Sequence, residues 1–131
     1  MELRPYNLGC VGLHQTAGKN IRYSAAEASS YGDVTIFTIP GQSIIKSIDV
    51  RITQAFNAPS NSLSVGYDAN VENLVPAASI NPAVTGMNSF AVNHYVSAQA
   101  VVKARYAQGG SGPAASAGNA EVYVHFVRVG V

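Results

Sequence analysis

Apolar and polar residues alternate with a period of two along several stretches of this chain, which is the pattern that half-buried β-strands produce. The clearest stretch is 44–56, where one face is aliphatic and the other is polar. The aliphatic face comprises Ile44, Ile48, Val50 and Ile52, and the polar face comprises Asp49, Arg51 and Thr53. This segment is therefore predicted to be a long strand with one buried side.

The same alternation recurs in shorter segments and predicts a chain built from strands. These segments are 33–39, 63–67, 90–96, 98–106 and 120–129. In the last of them, Val122, Val124 and Phe126 share one side, and Tyr123, His125 and Val127 share the other. Between the strands, 75–88 and 108–119 have the composition of loops. With no long helix and no βαβ pattern, we predict an all-β, single-domain antiparallel β-sandwich or jelly roll.

The first thirty or so residues show no sustained period. Glycines and Pro5 interrupt them, and Ser24–Ser30 has the composition of a short helical turn at most. A segment of this kind takes a fixed conformation only when it has a surface to lie on. The predicted organisation is therefore an extended N-terminal arm, 1–32, followed by the β-sandwich domain, 33–131.

Charged residues are scarce in a chain that is otherwise ordinary in its apolar content. Hydrophobic residues make up 47%, which excludes a disordered chain, but charged residues make up 11%, against roughly 25% in a typical soluble domain. Such a surface favours a protein that packs against neighbours, although some small domains are simply charge-poor. A net charge of +1, from scattered basic residues, is too small to neutralise phosphates, so nucleic acid is not an expected partner.

Cys10 is the single cysteine, so no intramolecular disulfide can form. The opening residues, M-E-L-R-P-Y-N-L-G-C, lack the unbroken apolar stretch of a signal peptide. No apolar run approaches the ~20 residues of a membrane helix. We therefore expect synthesis in a reducing cytosol and no association with a membrane.

Patterns for catalysis and metal binding are poorly represented. His14, His94 and His125 are far apart in sequence, and no G-x-S-x-G turn presents a nucleophilic serine. A closed zinc site needs four ligands at close spacing. We expect no catalytic residue, no cofactor and no metal ion, and we interpret His125 as a surface or interface histidine.

Oxygen-rich side chains cluster in one place, where Asp68, Asn70 and Glu72 follow each other at every second position. The spacing is that of the start of a calcium loop, but Asn73 stands where such a loop needs Gly, and Ser79 where it needs Glu. The alternative is turn chemistry, in which Asn and Asp bond to nearby backbone. A cation site of another geometry, formed by Asp68, Asn70 and Glu72, is the second alternative. The side chains predicted to serve the backbone are Asn57, Asn61 and Asn70.

Seven tyrosines make carbohydrate binding one function that the chain could have. Tyrosine offers a large contact area together with a hydroxyl group. The chain has no Trp to stack on sugars and few carboxylates for a glycosidase pair. The alternative is therefore a receptor- or carbohydrate-binding module rather than an enzyme.

Three segments carry a family resemblance. I-P-G-Q-S-I-I-K-S-I-D-V-R-I-T-Q-A-F-N (39–57), followed by L-S-V-G-Y-D (63–68), resembles a pattern common in small structural proteins of tailed bacteriophages. The segment S-A-G-N-A-E-V-Y-V-H-F-V (116–127) is similar to the last strand of the same proteins. Together they cover about a third of the chain.

The resemblance implies a virion protein with a β-sandwich or jelly-roll body. The commonest role of such a protein is capsid decoration: an oligomer, often a trimer, binds the major capsid protein on the outer shell and clamps neighbouring hexamers. A subunit of a head fibre or tail would use the body as a receptor- or carbohydrate-binding module. No catalytic residue is implied. The predicted interface residues are Leu3, Tyr6, Leu8, Asp68, Glu72, Tyr123 and His125.

Overall fold

The computed structural model describes residues 13–26, 31–108 and 115–130. In these residues the chain forms eight β-strands and two short 3-10 turns. The strands are β1 (His14–Arg22), β2 (Tyr31–Ile39), β3 (Ser43–Gln54), β4 (Asn61–Tyr67), β5 (Asn70–Val75), β6 (Gly86–Val96), β7 (Ala100–Gln108) and β8 (Asn119–Arg128). The 3-10 turns are Tyr23–Ala26 and Ala77–Ser79.

The strands form two antiparallel four-stranded sheets with the orders β1-β8-β3-β6 and β2-β7-β4-β5. Apart from the β4–β5 hairpin, each strand is followed along the chain by a strand of the other sheet. This crossing pattern is that of a jelly roll, in which two sheets enclose one core. The predicted all-β antiparallel sandwich is confirmed.

Part of the predicted arm belongs to the sheet. Nine residues, His14–Arg22, pair with β8, and Ile21 is fully buried. β2 also begins at Tyr31, two residues before the predicted boundary at 33. The prediction missed β1 because an edge strand with a polar outer side has little apolar alternation. An extended arm stays a prediction for residues before Leu13, which lie outside the described residues.

The core lies between the inner faces of the two sheets and is formed by the alternating positions that the sequence indicates. In β7 the buried residues are Val102, Ala104 and Tyr106, and in β8 they are Val122, Val124 and Phe126. Val127, expected on the outer side of β8, is also buried. Burial of these side chains supplies the main stabilisation of the fold, at roughly 25 cal/mol per Å² of apolar surface.

A β-bulge in β3 overturns the predicted position of Ile44. Ile48, Val50 and Ile52 are buried as expected, but the pairing of β3 with both neighbours shifts between Ile45 and Ser47. One extra residue on a strand reverses the alternation beyond it. Ile45 is therefore fully buried in place of Ile44, which is only half-buried.

β5 was not predicted as a strand because three of its six residues, Asn70, Glu72 and Asn73, are polar. The sequence favoured turn chemistry around Asp68, Asn70 and Glu72 and a loop over 75–88. Instead, Asn70–Val75 forms the edge strand of the second sheet, and β6 begins at Gly86.

The loop between β3 and β4 is held by amide side chains, as the turn-chemistry interpretation predicted. The Nδ2 group of Asn61 donates to the carbonyl oxygens of Phe56 and Ala58, at 3.0 and 2.8 Å. The Oδ1 atom of Asn57 accepts from the backbone N–H groups of Ser116 and Ala117, at 2.8 and 3.1 Å. The Asn61 bonds close the loop on itself, as turn chemistry predicts. The Asn57 bonds instead reach distant backbone and join the loop to the segment that enters β8.

Candidate interaction surfaces

Hydrogen-bonded side chains cross the outer face of the β1-β8-β3-β6 sheet. His125 on β8 lies between Thr16 on β1 and Asp49 on β3, with Nδ1 2.9 Å from the Thr16 hydroxyl and Nε2 2.8 Å from Asp49 Oδ2. Asp49 also bonds to Ser89 on β6. We call Thr16, His125, Asp49 and Ser89 the cross-strand row, since it contains one side chain from each strand of the sheet.

The cross-strand row holds Asp49 in its ionised form. Partial burial of this carboxyl favours the neutral acid, but hydrogen bonds from His125 and Ser89 outweigh that effect. The pKa of Asp49 therefore lies below its ordinary value of 3.8. Because a carboxylate can only accept, His125 donates to Asp49 from Nε2.

Replacing His125 by alanine is expected to raise the pKa of Asp49 towards its ordinary value, because the largest stabilising hydrogen bond to the carboxylate is lost. The measurement is an NMR titration of the Asp49 side-chain carboxyl carbon. His125→Gln is the matched variant, since its amide can donate to Asp49 in place of the imidazole. An unchanged Asp49 titration in His125→Ala would show that the row does not form.

The cross-strand row contains a hydroxyl, an imidazole and a carboxylate, but in the opposite order to a hydrolase triad. In such a triad the carboxylate binds Nδ1 and the nucleophile binds Nε2, whereas here Asp49 binds Nε2. The groups lie on a sheet face, and both Asp49 and His125 keep about 30% of their side-chain surface exposed. This arrangement is suited to fixing side chains at an interface.

Tyr123 lies beside the row and covers the glycine opposite it. Gly18 on β1 pairs with Tyr123, and a Cβ atom at Gly18 would lie 2.6 Å from the Tyr123 ring. Partial desolvation, and then the neighbouring Glu121 carboxylate, raise the pKa of the Tyr123 hydroxyl. Arg51 in turn bonds to Glu121 at 3.3 Å. Tyr123 and His125, both predicted interface residues, therefore share one polar face, on which Glu121 is paired with Arg51 and Asp49 with His125.

Asp68 and Glu72 belong to the other sheet, and their carboxylates accept hydrogen bonds from backbone N–H groups. Asp68 lies in the β4–β5 turn with a φ of 56°, and its Oδ1 accepts from the N–H of Val101 at 3.0 Å. Oε1 of Glu72 accepts from the N–H of Ala77 at 2.8 Å, and Oδ1 of Asn70 accepts from the N–H of Glu72. The structure therefore does not bring Asp68 and Glu72 together with Tyr123 and His125.

The outer face of the second sheet carries a further charge pair. Arg105 on β7 makes two hydrogen bonds to Asp33 on β2, at 2.7 and 3.0 Å, and its guanidinium lies 4.0 Å above the Tyr31 ring. A groove of about 310 Å³ opens beside this group. Its lining comprises Tyr31, Ser60, Asn61, Ser62, Arg105, Ala107 and Gln108.

The Asp33–Arg105 pair is expected to stabilise the fold above about pH 4 and to lose that contribution in acid. The hydrogen bond from Arg105 holds the pKa of Asp33 below 3.8 in the folded chain. A carboxyl whose pKa is lowered by folding stabilises the folded state above its unfolded pKa and stops doing so as the pH falls through its folded pKa. Denaturation of wild type and Asp33→Asn at pH 6 and pH 2.5 should show a stability difference that shrinks in acid. A difference that is the same at both values would contradict this.

The remaining predictions concern the arm residues, metal binding and membrane association. Leu3, Tyr6 and Leu8 lie outside the described residues. Within the part of the chain that the structure describes, no group of three or more His, Cys, Asp or Glu residues is arranged to hold a metal ion. The helical turns in that same part are too short to span a membrane.

Sequence reasoning missed Thr16, Asp49 and Ser89 as partners of His125. Asp49 stands on the predicted polar face of β3, and His125 stands on the outer side of β8, so both faces were correctly assigned. What brings them together is the register of β1, β8 and β3, which joins His125 to Thr16, 109 positions away, and to Asp49, 76 positions away. No local pattern in the chain contains that register.

The fold is shared with chains of two phage capsid structures. A chain of the cyanophage Pam1 capsid asymmetric unit superposes with a TM-score of 0.68 at 13% identity, over 90% of this chain and 86% of that one. A chain of the acid-stable capsid of Helicobacter pylori bacteriophage KHP30 gives a TM-score of 0.63 at 12% identity, over 89% of each chain. No protein-family model matches the chain, and no curated protein matches it either. The structural neighbours are thus chains of phage capsids, in agreement with the resemblance seen in the sequence.

Proposed function

We propose that this protein is a non-enzymatic structural component of a bacteriophage virion, which binds the outer capsid surface as an oligomer and stabilises the shell. The observation that carries the proposal is the likeness to two phage capsid chains over about 90% of the sequence. The resemblance of the strand segments 39–57 and 116–127 to small structural phage proteins supports it independently.

The surface chemistry of the two sheets supports a protein that docks by its faces. Asp33, Asp49 and Glu121 are bonded to Arg105, His125 and Arg51. An unpaired charge is costly to bury, whereas a pair that already satisfies itself adds a smaller penalty when water is removed. The face that carries Tyr123 and His125 is the surface that we assign to the major capsid protein.

The oligomer in this proposal is a trimer at the positions where hexamers meet. The residues before Leu13 form the arm that contacts a neighbouring subunit, with Leu3, Tyr6 and Leu8 as its apolar contacts. Symmetric association also hides sheet edges, which matters for a β protein with so few charges.

Co-sedimentation with shells that lack the protein tests this function. We expect saturable binding at a fixed number of copies per shell, and we expect Tyr123→Ala combined with His125→Ala to weaken it at least tenfold. Thr35→Ala, an exposed change on the other sheet, is the control and should bind like wild type. Absence of binding, or equal binding by the double variant, would count against the proposal.

The groove beside Tyr31 favours a second candidate function, a receptor- or carbohydrate-binding module of a fibre or tail. Hydroxyl and amide groups of Ser60, Ser62 and Gln108 line it next to an exposed aromatic ring. Such a mixture of one aromatic face with polar groups suits a sugar ring. A glycan panel separates the two functions: binding that Ser62→Trp removes, together with failure to bind shells, would establish the second.

A further inference from the structure

The edge of β6 is unlike the other sheet edges among the described strands. β6 pairs with β3 on one side only, and its eleven residues, Gly86–Val96, contain no Asp, Glu, Lys or Arg. The other edges are charged: β1 carries Lys19 and Arg22, β2 carries Asp33 and β5 carries Glu72. Charges on an edge discourage pairing with another chain, so β6 is the edge left open to a partner strand.

The regular part of this edge is six residues long. Gly86–Ala91 pairs residue by residue with β3, and the register then shifts before His94. Asn93, within that shift, has a φ of 50°. A bulge ends regular pairing on an edge, and an incoming strand would therefore match Gly86–Ala91.

Exposed apolar side chains flank the same edge. Met87 is 60% exposed, Val84 in the preceding loop is 58% exposed, and Tyr95 near the end of β6 is 51% exposed. These are three of the five large hydrophobic residues exposed in the described part of the chain. Val84 and Met87 also line a groove of about 320 Å³. An uncharged edge beside an apolar patch has the properties of a surface that accepts a β-strand.

The chain contains a segment of matching length and character before β1. In Y-N-L-G-C-V, residues 6–11, Tyr6, Leu8 and Cys10 alternate with Asn7 and Gly9 until Val11 ends the alternation, and no residue is charged. Period-two alternation, here over five residues, is too short to count as a sustained period but long enough for a short strand. The twelve residues before Leu13 could span up to ~40 Å when extended, at about 3.3 Å per residue.

Geometry favours a second copy as the acceptor of this segment. β1 and β6 are opposite edges of one sheet, so a strand added beyond β6 would lie four strand spacings, or roughly 19 Å, from β1. Crossing that distance would use about six residues, so that most of 6–11 could not pair with the chain's own β6. The crossing segment would also run parallel to β6, because His14 and Val96 lie at the same end of the sheet. A neighbouring copy permits antiparallel pairing, which is slightly more stable.

We propose that residues 6–11 of one copy add to β6 of a second copy as a fifth, antiparallel strand of the β1-β8-β3-β6 sheet. The segment leaves from one edge and binds the opposite edge, so the contact is heterologous and can close into a ring, including the proposed trimer. The inference extends the oligomer of the proposed function by naming its acceptor and its donor.

Cysteine cross-linking tests the contact, since Cys10 lies within the donor segment. Met87→Cys, Ser89→Cys and Ala91→Cys each place a second cysteine on an exposed position of β6. Opposed residues of antiparallel strands have Cα atoms 4.5–5.5 Å apart, within the range of a disulfide. After mild oxidation, at least one variant should run as a covalent oligomer on a non-reducing gel, and adding Cys10→Ser should abolish it. Thr38→Cys, exposed on the β2 edge, is the control and should stay monomeric on the gel.

Two results would overturn the inference. A fast-migrating monomer that reverts on reduction would show that the segment binds its own β6, and no cross-link in any of the three variants would show that it binds elsewhere. Light scattering adds an independent measurement: Ala91→Lys should lower the association constant at least tenfold, and Thr38→Lys should not. If the protein binds shells and Ala91→Lys does not change its association, the inference about β6 is wrong and the proposed function stands. If the protein cross-links through β6 but does not bind shells, the inference stands and the proposed function is wrong.

Discussion

Replacing Phe56 by alanine is expected to lower the free energy of unfolding by about 3–5 kcal/mol, a large part of the 5–15 kcal/mol that stabilises a typical domain. Phe56 is 1% exposed, and the centroid of its ring lies 4.5 Å from the centroid of the Tyr106 ring. Its N–H donates to the carbonyl oxygen of Pro82, and its ring covers Gly118, where a Cβ would approach within 2.3 Å. The ring thus packs the β3–β4 loop against β7 and the segment that enters β8, whereas the backbone bond to the β5–β6 loop is kept when alanine replaces Phe56.

Chemical denaturation at one fixed protein concentration measures this effect. Val129→Ala, which shortens a side chain that is 44% exposed and lies away from the β6 edge, is the control and should change stability by about 0.5 kcal/mol or less. A loss below about 1 kcal/mol for Phe56→Ala would mean that the loops are held by the Asn57 and Asn61 hydrogen bonds rather than by the ring.

Truncation at Ser30 is expected to lower the melting temperature by more than about 10 °C, while truncation at Gly12 should leave it within about 2 °C of wild type. The longer deletion removes all nine β1 residues that pair with β8, together with the fully buried Ile21. The shorter one leaves the described fold intact. Its effect should appear in association, because it removes Leu3, Tyr6 and Leu8.

Calorimetry and light scattering on both truncated proteins separate these roles. If truncation at Gly12 lowers the melting temperature as much as truncation at Ser30, the first twelve residues belong to the folded domain rather than to an arm. If truncation at Gly12 leaves the oligomer unchanged, the arm does not join subunits.

The sequence predicted the six strands in which apolar and polar residues alternate, namely β2, β3, β4, β6, β7 and β8. It missed β1 and β5, two edge strands in which six of nine and three of six residues are polar. What orders these two strands is the neighbouring strand that offers its N–H and C=O groups. The bulge near Ile45 was invisible for a related reason, because one inserted residue leaves no trace in local hydrophobicity.

For the candidate interface residues, too, the sequence predicted which side of a strand they occupy but not which distant residues they contact. Tyr123 and His125 were assigned to the outer side of β8 by alternation, and the structure places them there. Their partners depend on the register of strands that are distant in sequence, so Thr16, Asp49 and Ser89 could not be found from the chain alone. For Asn61 and Asn70, turn chemistry was readable in the sequence because their amides bond to backbone within a few residues. The Asp68 carboxylate instead accepts from Val101, 33 residues away, and that bond could not be predicted.

The disruption temperature of shells with and without the protein tests the central claim most directly. A protein that binds the assembled shell and not its separated subunits must stabilise the shell by mass action, by about 2.7 kcal/mol per site at a hundred times its dissociation constant. We predict that saturating protein raises the temperature at which undecorated shells lose their scattering, and that Tyr123→Ala with His125→Ala removes most of the increase. A disruption temperature that is unchanged by saturating wild-type protein would contradict the account.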